Sequence, residues 1–258
     1  MGKRVLDLTV VESVRLTEKH TLLKLNHTDA LPTMFPGQFV EVLIQETPEV
    51  MLRRPISIHN FDADANELWL LVAAIGNGTR WLCSRKAGDK VNCLLPLGHG
   101  FTTDSASPSR PLLVGGGVGV APLYYLGREF LAQGVRPTFL LGGRKAADIL
   151  QIEAFRSIGD LYVTTEDGSL GEQGFVTDHS VLASAGFSSV YACGPTPMMK
   201  AVARYAVAHG LPCEVSLENM MACGLGACLC CVEKTVDGNV CVCKEGPVFN
   251  IDKLLWQR

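Results

Sequence analysis

The stretch Cys223-Gly-Leu-Gly-Ala-Cys228-Leu-Cys230-Cys231 is followed ten residues later by Cys241-Val-Cys243. Read from Cys223, the spacing is C-x4-C-x2-C, and Cys243 stands beyond a further eleven residues. This spacing is typical of a [2Fe–2S] cluster, because two irons bridged by two sulfides need four thiolates. Three of the thiolates must come from one tight loop around the inorganic core. The stretch therefore predicts an iron–sulfur site close to the C-terminal end of the sequence.

Small residues suit such a loop. Gly224, Gly226 and Ala227 leave the backbone N–H groups free to reach the sulfur atoms, and glycine also admits positive φ. Six cysteines lie between residues 223 and 243, but only four can bind the cluster. The spacing selects the ligands Cys223, Cys228, Cys231 and Cys243, and it leaves Cys230 and Cys241 as non-ligands.

Other uses of these cysteines fit less well. Cys228 and Cys231 form one C-x2-C pair, but Cys241-Val-Cys243 is too close to supply the second pair of a structural zinc site. Disulfides need an oxidising compartment, and the charged start Met1–Leu8 lacks the apolar segment of a signal peptide. Some of the ten cysteines are expected to be ordinary buried residues.

Composition limits the possible partners. At 258 residues the chain holds roughly two domains of ~100–150 residues with a small appendage. The net charge of −3 and the lack of a basic run argue against nucleic acid or an anionic membrane as a partner. No apolar run reaches the ~18–20 residues of a membrane span. We expect a soluble, cytoplasmic protein that binds neither nucleic acid nor membrane.

The first hundred residues alternate short β runs with turn signals such as Pro36-Gly37 and Gly88-Asp89. One helix-like stretch, Thr79–Lys86, interrupts them. Six strands at such intervals predict a small antiparallel barrel. The expected strands are Leu6–Val11, Thr21–Leu25, Gln38–Ile44, Ile56–Ile58, Glu67–Val72 and Val91–Leu95.

Two stretches of this barrel have the chemistry of an anion site. Arg53-Arg54-Pro55-Ile56-Ser57 places a guanidinium beside hydroxyl and backbone donors. Gly76-Asn-Gly78-Thr79 opens the predicted helix, where free N–H groups and the helix dipole attract a phosphate. Taken alone, the stretch Gly76–Thr79 is more often an ordinary helix cap, and an Arg-Pro pair is common on protein surfaces. Together, ~20 residues apart in one barrel, they favour a diphosphate clamp.

Arg54-Pro-Ile-Ser57, Gly78-Thr79 and Pro96-Leu-Gly-His-Gly-Phe101 together resemble the flavin domain of the ferredoxin–NADP reductase family. The family usually has an aromatic residue where this chain has Ile56. The resemblance implies an FAD site in the barrel. It implies the FAD-binding residues Arg54, Pro55, Ile56, Ser57, Leu71, Val72, Ala73, Gly78 and Thr79.

Beyond the linker-like Ser105–Ser109, strands alternate with helices, which predicts a parallel, doubly wound α/β sheet. The expected strands are Pro111–Val114, Pro137–Leu141, Leu161–Thr165 and Ser189–Cys193. The expected helices are Ala121–Ala132, Ile149–Ser157, Val176–Ala185 and Pro197–His209.

The glycine loop Gly115–Gly119 follows the first of these strands. It does not match G-x-G-x-x-G, so a dinucleotide cradle and a close strand–helix turn are equally good interpretations of the loop alone. With Glu166–Ser169 and Cys193-Gly-Pro195 it resembles the nicotinamide domain of the same family. The nucleotide-binding residues implied are Gly115, Gly116, Gly117, Gly119, Cys193, Gly194 and Pro195. The absence of an obvious basic cluster favours NAD over NADP, although Arg144-Lys145 is ambiguous.

The expected organisation is an FAD-binding barrel (1–103), an NAD-binding α/β domain (108–214) and a small [2Fe–2S] domain (215–258). This order, and the stretch Ser216–Cys228, resemble the electron-transfer subunits of NAD-dependent, type B dihydroorotate dehydrogenases. The resemblance implies an FMN-containing catalytic partner in a heterotetramer of two subunits of each kind. Electrons from dihydroorotate would pass through the cluster and FAD to NAD⁺ in pyrimidine biosynthesis. The alternatives are a subunit of another NAD(P)H–ferredoxin-type oxidoreductase or hydrogenase, or a zinc-stabilised binding module.

Overall fold

The computed structural model describes residues 2–46, 49–103, 109–183 and 186–257. The chain forms two compact units. The barrel unit comprises Met1–Gly100, Asn219–Glu233 and Asn239–Pro247, and the sheet unit comprises Phe101–Glu218, Lys234–Gly238 and Val248–Arg258. The residues after 218 thus contribute to both units, and the division into domains 1–103, 108–214 and 215–258 stays a prediction.

The barrel unit contains a closed antiparallel barrel of six strands in the order β1-β2-β5-β4-β3-β6, as predicted. In β6 every second side chain is buried, the alternation that places one face of a strand in the core. One short helix, α1, follows β5. The elements are β1 (Arg4–Arg15), β2 (His20–Asn26), β3 (Phe39–Val42), β4 (Arg54–Asp62), β5 (Glu67–Ala73), α1 (Asn77–Cys83) and β6 (Lys90–Leu97).

Helix α1 begins two residues earlier and ends three residues earlier than the sequence predicts. At its start the Thr79 hydroxyl accepts the N–H groups of Ile75 and Gly76, each at 3.0 Å. Beyond its end the Asp89 carboxylate accepts the Lys86 N–H at 2.8 Å. This contact builds a turn in place of the last predicted helical residues.

The sheet unit is doubly wound around seven strands in the order β10-β9-β8-β7-β11-β12-β15. All neighbouring strands are parallel except β12 and β15. The strands are β7 (Pro111–Gly116), β8 (Thr138–Gly143), β9 (Asp160–Thr165), β10 (Glu172–Gln173), β11 (Ser189–Cys193), β12 (Cys213–Ser216) and β15 (Val248–Asn250). The helices are α2 (Ala121–Ala132), α3 (Ile152–Ile158) and α4 (Thr196–Ala208). The predicted parallel α/β architecture is confirmed, and the antiparallel edge strand β15 was not predicted.

The predicted helix Val176–Ala185 is wrong. The described part of this range forms two short 3₁₀ turns, Val176–Asp178 and Ser180–Ala183, while residues 184 and 185 lie outside the described ranges. Side chains bind the backbone donors here: Asp178 accepts the Phe175 N–H at 2.8 Å, and Glu172 accepts the Ser180 N–H at 2.8 Å. Such bonds compete with α-helical backbone bonds. Most of the predicted linker Ser105–Ser109 also lies outside the described ranges.

The last forty residues contain little regular structure. The loop of residues 219–231, called the cluster loop below, precedes a two-stranded sheet of β13 (Val232–Thr235) and β14 (Gly238–Cys241). A single helical turn, α5 (Val242–Glu245), carries Cys243. Across the described ranges, the helices all fall short of the length and apolarity that a membrane crossing requires.

Candidate functional site

Backbone N–H groups point at sulfur atoms in the cluster loop. Gly224 and Gly226 have positive φ, 64° and 81°, so the chain curls tightly around the sulfur of Cys223. A Cβ on Gly226 would lie only 3.0 Å from Cδ of Lys244. Three N–H···S contacts result: Leu225 to Cys223 at 3.4 Å, Gly226 to Cys243 at 3.1 Å and Cys243 to Cys231 at 3.3 Å.

The two ends of this cysteine group differ in their electrostatics. The Leu225 N–H, helped by donors of Cys228 and Ala227, lowers the pKa of the Cys223 thiol to about 6 against the opposing effect of burial. Burial, and then the neighbouring Cys231, raise the pKa of Cys243 to about 12. A cationic metal centre would offset that rise, because metal ligation deprotonates a thiol outright.

The structure brings the four predicted ligands into one region with Cys241, and it leaves Cys230 at the surface. Cys231 and Cys243 are buried, whereas Cys228 and Cys230 are exposed. The Cys241 thiol donates to the Gly226 carbonyl at 3.8 Å. Partial burial raises the pKa of Cys241, as do the nearby thiols of Cys231, Cys223 and Cys228. The assignment of Cys223, Cys228, Cys231 and Cys243 as ligands stays a prediction.

Within the described ranges, no group of three or more His, Cys, Asp and Glu side chains is spaced to hold a single metal ion. The cysteines nevertheless fit a larger inorganic group. N–H···S contacts of the kind described above are the bonds that tune a sulfur-ligated cluster. Two of the three donors, Leu225 and Gly226, lie in the cluster loop, and the third, Cys243, lies on α5.

Arg54 and α1 meet in the barrel unit. A Cβ on Gly78 would lie 3.0 Å from Nε and 3.3 Å from Cγ of Arg54, so only a glycine permits this approach. Arg54 Nη1 donates to the Leu52 carbonyl at 2.7 Å, which fixes the guanidinium near the first turn of the helix. No acidic side chain lies in that first turn. A cation beside free helix N–H groups is the arrangement that holds a diphosphate.

Thr79, like Gly78, lies on α1, and the remaining predicted flavin residues lie on β4 and β5, which are adjacent in the barrel. Pro55, Ile56 and Ser57 are half-buried and follow Arg54 along β4. On β5, Leu71 and Val72 are buried and Ala73 is half-buried. The half-buried residues of β4 therefore offer a surface on the same strand as the arginine. Their contact with FAD stays a prediction.

The predicted nucleotide residues of the sheet unit lie at the carboxyl ends of β7 and β11. These strands are parallel neighbours, with Cys193 paired to Gly115. A Cβ on Gly119 would lie 2.5 Å from Cα of Gly194, and Gly194 itself has a φ of 151°. The two loops thus come into backbone contact at Gly119 and Gly194. Crevices at the carboxyl ends of parallel strands are where doubly wound sheets bind nucleotides.

Comparison with known proteins finds two family domains in the chain. Residues 218–255 match the family model described as the iron-sulfur cluster binding domain of dihydroorotate dehydrogenase B, and residues 113–204 match the oxidoreductase NAD-binding domain. The dihydroorotate dehydrogenase B (NAD(+)) electron transfer subunit of Shouchella clausii is 39% identical over 261 residues. That match covers 99% of this chain and 100% of the relative. The corresponding subunit of Fusobacterium nucleatum is 37% identical, over 95% of this chain and 96% of the relative.

The chain belongs to the family of dihydroorotate dehydrogenase B (NAD⁺) electron transfer subunits. Among solved structures, a protein described as an NADH-dependent reduced ferredoxin-NADP oxidoreductase matches with a TM-score of 0.86 and 28% identity. That match covers 100% of this chain and 92% of the other. A ferredoxin reductase of carbazole 1,9a-dioxygenase shares the fold at a TM-score of 0.68 and 21% identity, over 82% of this chain and 68% of the other.

Two features of this electron-transfer subunit escaped the sequence analysis. Leu229, between Cys228 and Cys230, adopts a positive φ of 59°. Leucine rarely takes this conformation, so the sequence gives no sign of it. Glu41 is fully buried on β3, and burial raises its pKa to about 7 while the charge of Arg53 lowers it. The only signal in the sequence is an acidic residue inside the apolar run Phe39–Val42.

Proposed function

We propose that this chain is the electron-transfer half of an NAD-linked dihydroorotate dehydrogenase in pyrimidine biosynthesis. It receives electrons on a [2Fe–2S] cluster, carries them through FAD and delivers them to NAD⁺ as the co-substrate. The observation that carries the proposal is the set of N–H···S contacts made by the cluster loop and α5, one each to the sulfurs of Cys223, Cys231 and Cys243. When bound, FAD supplies the exchange between single-electron transfer at the cluster and hydride transfer at nicotinamide.

The chain's own residues bind and orient these groups. Cys223, Cys228, Cys231 and Cys243 hold the two irons, and the N–H donors of the loop stabilise negative charge on the sulfurs. Arg54 and the first turn of α1 hold the FAD diphosphate, with Gly78 leaving room for the guanidinium. The remaining FAD contacts come from Pro55, Ile56, Ser57, Leu71, Val72, Ala73 and Thr79.

The nicotinamide nucleotide binds in the sheet unit against Gly115, Gly116, Gly117, Gly119, Cys193, Gly194 and Pro195. NAD is favoured over NADP, because a 2′-phosphate requires a free cation near the adenosine. Arg144, which follows β8, forms an ion pair with Asp148 at 3.4 Å. The choice of NAD rests on the lack of an obvious basic cluster in the sequence and not on this exposed ion pair.

The partner is the FMN-containing catalytic subunit, in a cytoplasmic heterotetramer of two subunits of each kind. The cluster loop carries apolar side chains in a surface position: Met220 is 82% exposed, Leu229 63% and Leu225 45%. Large apolar side chains grouped at a surface are typical of an interface. They surround the centre that must lie close to the electron donor.

A second candidate is a subunit of another NAD(P)H–ferredoxin-type oxidoreductase. The observation in its favour is the TM-score of 0.86 to an NADH-dependent reduced ferredoxin-NADP oxidoreductase over the whole chain. The two functions share the cofactors and differ in the donor.

Steady-state assays distinguish the two candidates. The purified chain, loaded with FAD and cluster, should oxidise NADH with an artificial acceptor, and it should not reduce NAD⁺ with dihydroorotate. Addition of the FMN subunit should start the dihydroorotate reaction, and reduced ferredoxin should not replace that donor. Orotate formation by the chain alone, or efficient NAD⁺ reduction by ferredoxin, would contradict the proposal.

A further inference from the structure

Glu41 is an acidic residue buried in the core of the barrel. It lies in the middle of β3, where all four side chains are buried, and its own exposure is 0%. Neither carboxyl oxygen has a hydrogen-bond partner among the residues that the structure describes. Burying a carboxyl without hydrogen bonds costs free energy, so such a group in a barrel core calls for an explanation.

The side chain of Glu41 touches the cluster loop. A Cβ on Gly224 would lie 2.8 Å from Cγ and 3.3 Å from Oε1 of Glu41. Gly224 directly follows the predicted ligand Cys223. In the barrel, β3 pairs with β4 so that Glu41 lies opposite Pro55, one residue beyond Arg54. Glu41 therefore connects the strand that carries the predicted flavin residues to the loop that carries the predicted cluster ligands.

Two arginines, Arg53 and Arg54, act on this carboxyl through their charge, and Arg53 has the larger effect. Arg53 Nη1 donates to the backbone carbonyl of Glu41 at 3.1 Å, and its Nη2 donates to Oδ1 of Asn92 at 2.7 Å. Asn92 in turn donates to Asp7 at 2.8 Å, which keeps the arginine in place. The Arg53 guanidinium thus attracts the Glu41 carboxylate without a hydrogen bond to it, because its hydrogen bonds go to the Glu41 backbone carbonyl and to Asn92.

We propose that Glu41 tunes the iron–sulfur centre: its ionised carboxylate, set against Gly224, lowers the reduction potential of the [2Fe–2S] cluster. The inference rests on the proposed function, since it requires a cluster in this loop. A negative charge in a weakly polar interior opposes the arrival of an electron nearby. Potentials of iron–sulfur clusters depend on the charge and hydrogen bonds around the sulfurs. A lower potential helps the cluster pass electrons onward.

The test is an EPR-monitored redox titration of the chain loaded with FAD and cluster. Glu41→Gln removes the charge and keeps the shape, Glu41→Asp keeps the charge, and Glu18→Gln removes an exposed charge in the turn between β1 and β2. The titration is run in mildly alkaline buffer, because burial raises the pKa of Glu41 to about 7. At a fixed ambient potential, Glu41→Gln should raise the ratio of reduced to oxidised cluster by about tenfold or more. Glu41→Asp and Glu18→Gln should stay close to the unsubstituted chain.

EPR detects only assembled clusters, so incomplete loading of a variant does not obscure its potential. A cluster lost from Glu41→Gln and kept by Glu41→Asp would also support a role for the charge. An unchanged potential in Glu41→Gln would overturn the inference, as would loss of the cluster from both variants, which would make Glu41 a packing residue. Absence of a [2Fe–2S] signal from the unsubstituted chain would instead contradict the proposed function.

Discussion

At the scale of single residues, the cluster loop depends on backbone atoms reaching sulfur. Gly224 and Gly226 take positive φ at no steric cost, and their neighbours' N–H groups then point inward. Leu229 takes the same conformation as a leucine, which is strained. Such strain is retained where the surrounding structure requires it. Here the strained Leu229 lies between two exposed cysteines, Cys228 and Cys230.

The ligand assignment is the first prediction. Serine in place of Cys223, Cys228, Cys231 or Cys243 should abolish the cluster, because only these four reproduce the C-x4-C-x2-C spacing with a distal fourth thiolate. Cys230→Ser and Cys241→Ser should keep it, although the Cys241 thiol lies beside the others. Iron analysis and EPR of the reduced proteins decide the matter. A cluster-free Cys241→Ser protein would place Cys241 among the ligands.

Gly119 carries the second prediction. A Cβ there would lie 2.5 Å from Cα of Gly194, so Gly119→Ala must push the two nucleotide loops apart. The kcat/KM for NADH should fall by on the order of 10²-fold, the scale of a 1 Å misplacement, with FAD and iron contents unchanged. Gly134→Ala is the control, because Gly134 has open space around it and, unlike Gly119, a positive φ, so its alanine variant is strained without a clash. Equal losses in the two variants would mean that the effect is general destabilisation.

At the scale of elements, two adjacent arginines have different roles: Arg54 is the first residue of β4, and Arg53 directly precedes the strand. Arg54 lies against Gly78 of α1, while Arg53 bonds to the carbonyl of Glu41 and to Asn92. Arg53 therefore joins β3, β6 and the start of β4. Arg54 is the arginine that lies beside the first turn of α1.

The third prediction follows from this division. Arg54→Ala should weaken FAD binding roughly ten- to hundredfold, because a charge-assisted hydrogen bond contributes about 1.5–3 kcal/mol. Arg53→Ala should lower the thermal stability of the barrel and leave FAD affinity nearly unchanged. Equilibrium titration of the apoprotein with FAD measures both affinities. Equal losses of affinity at the two arginines would count against the proposed diphosphate site.

Elements with a clear period could be predicted from the sequence. In β6 the buried side chains alternate, and Ser189–Cys193 is a buried run of five residues that is a strand as expected. The prediction failed where side chains bind the backbone, as Glu172 does at Ser180. It also missed β15, because three residues carry no period and their pairing with β12 is set by tertiary contact.

In the candidate site, too, local signals could be predicted and tertiary contacts could not. Cysteine spacing and glycine loops are local signals, and the contact of Gly119 with Gly194 is consistent with them. Glu41 could not be predicted, since an acid in a strand normally faces water and only the folded cluster loop covers it. A buried charge that reduces stability is a feature that sequence propensity cannot anticipate.

At the scale of the whole molecule, exposed apolar side chains of the cluster loop form the surface at which we propose that the electron donor binds. Met220 carries the fourth prediction. Met220→Glu, at a position 82% exposed, should weaken the complex with the FMN subunit by on the order of tenfold and leave the cluster spectrum unchanged. Val207→Glu, half-exposed on α4, is the control and should leave the complex intact. Calorimetric titration with the FMN subunit measures both, and an unaltered affinity of Met220→Glu would remove this residue from the interface.

The most direct test of the account is whether dihydroorotate can reduce NAD⁺ without the cluster of this chain. The complex with the FMN subunit is prepared with the unsubstituted chain, with Cys228→Ser and with Cys230→Ser. Cys228→Ser should keep FAD and oxidise NADH with an artificial acceptor, yet its dihydroorotate-dependent NAD⁺ reduction should fall to background, while Cys230→Ser stays active. NAD⁺ reduction at the full rate by a cluster-free Cys228→Ser complex would contradict the account.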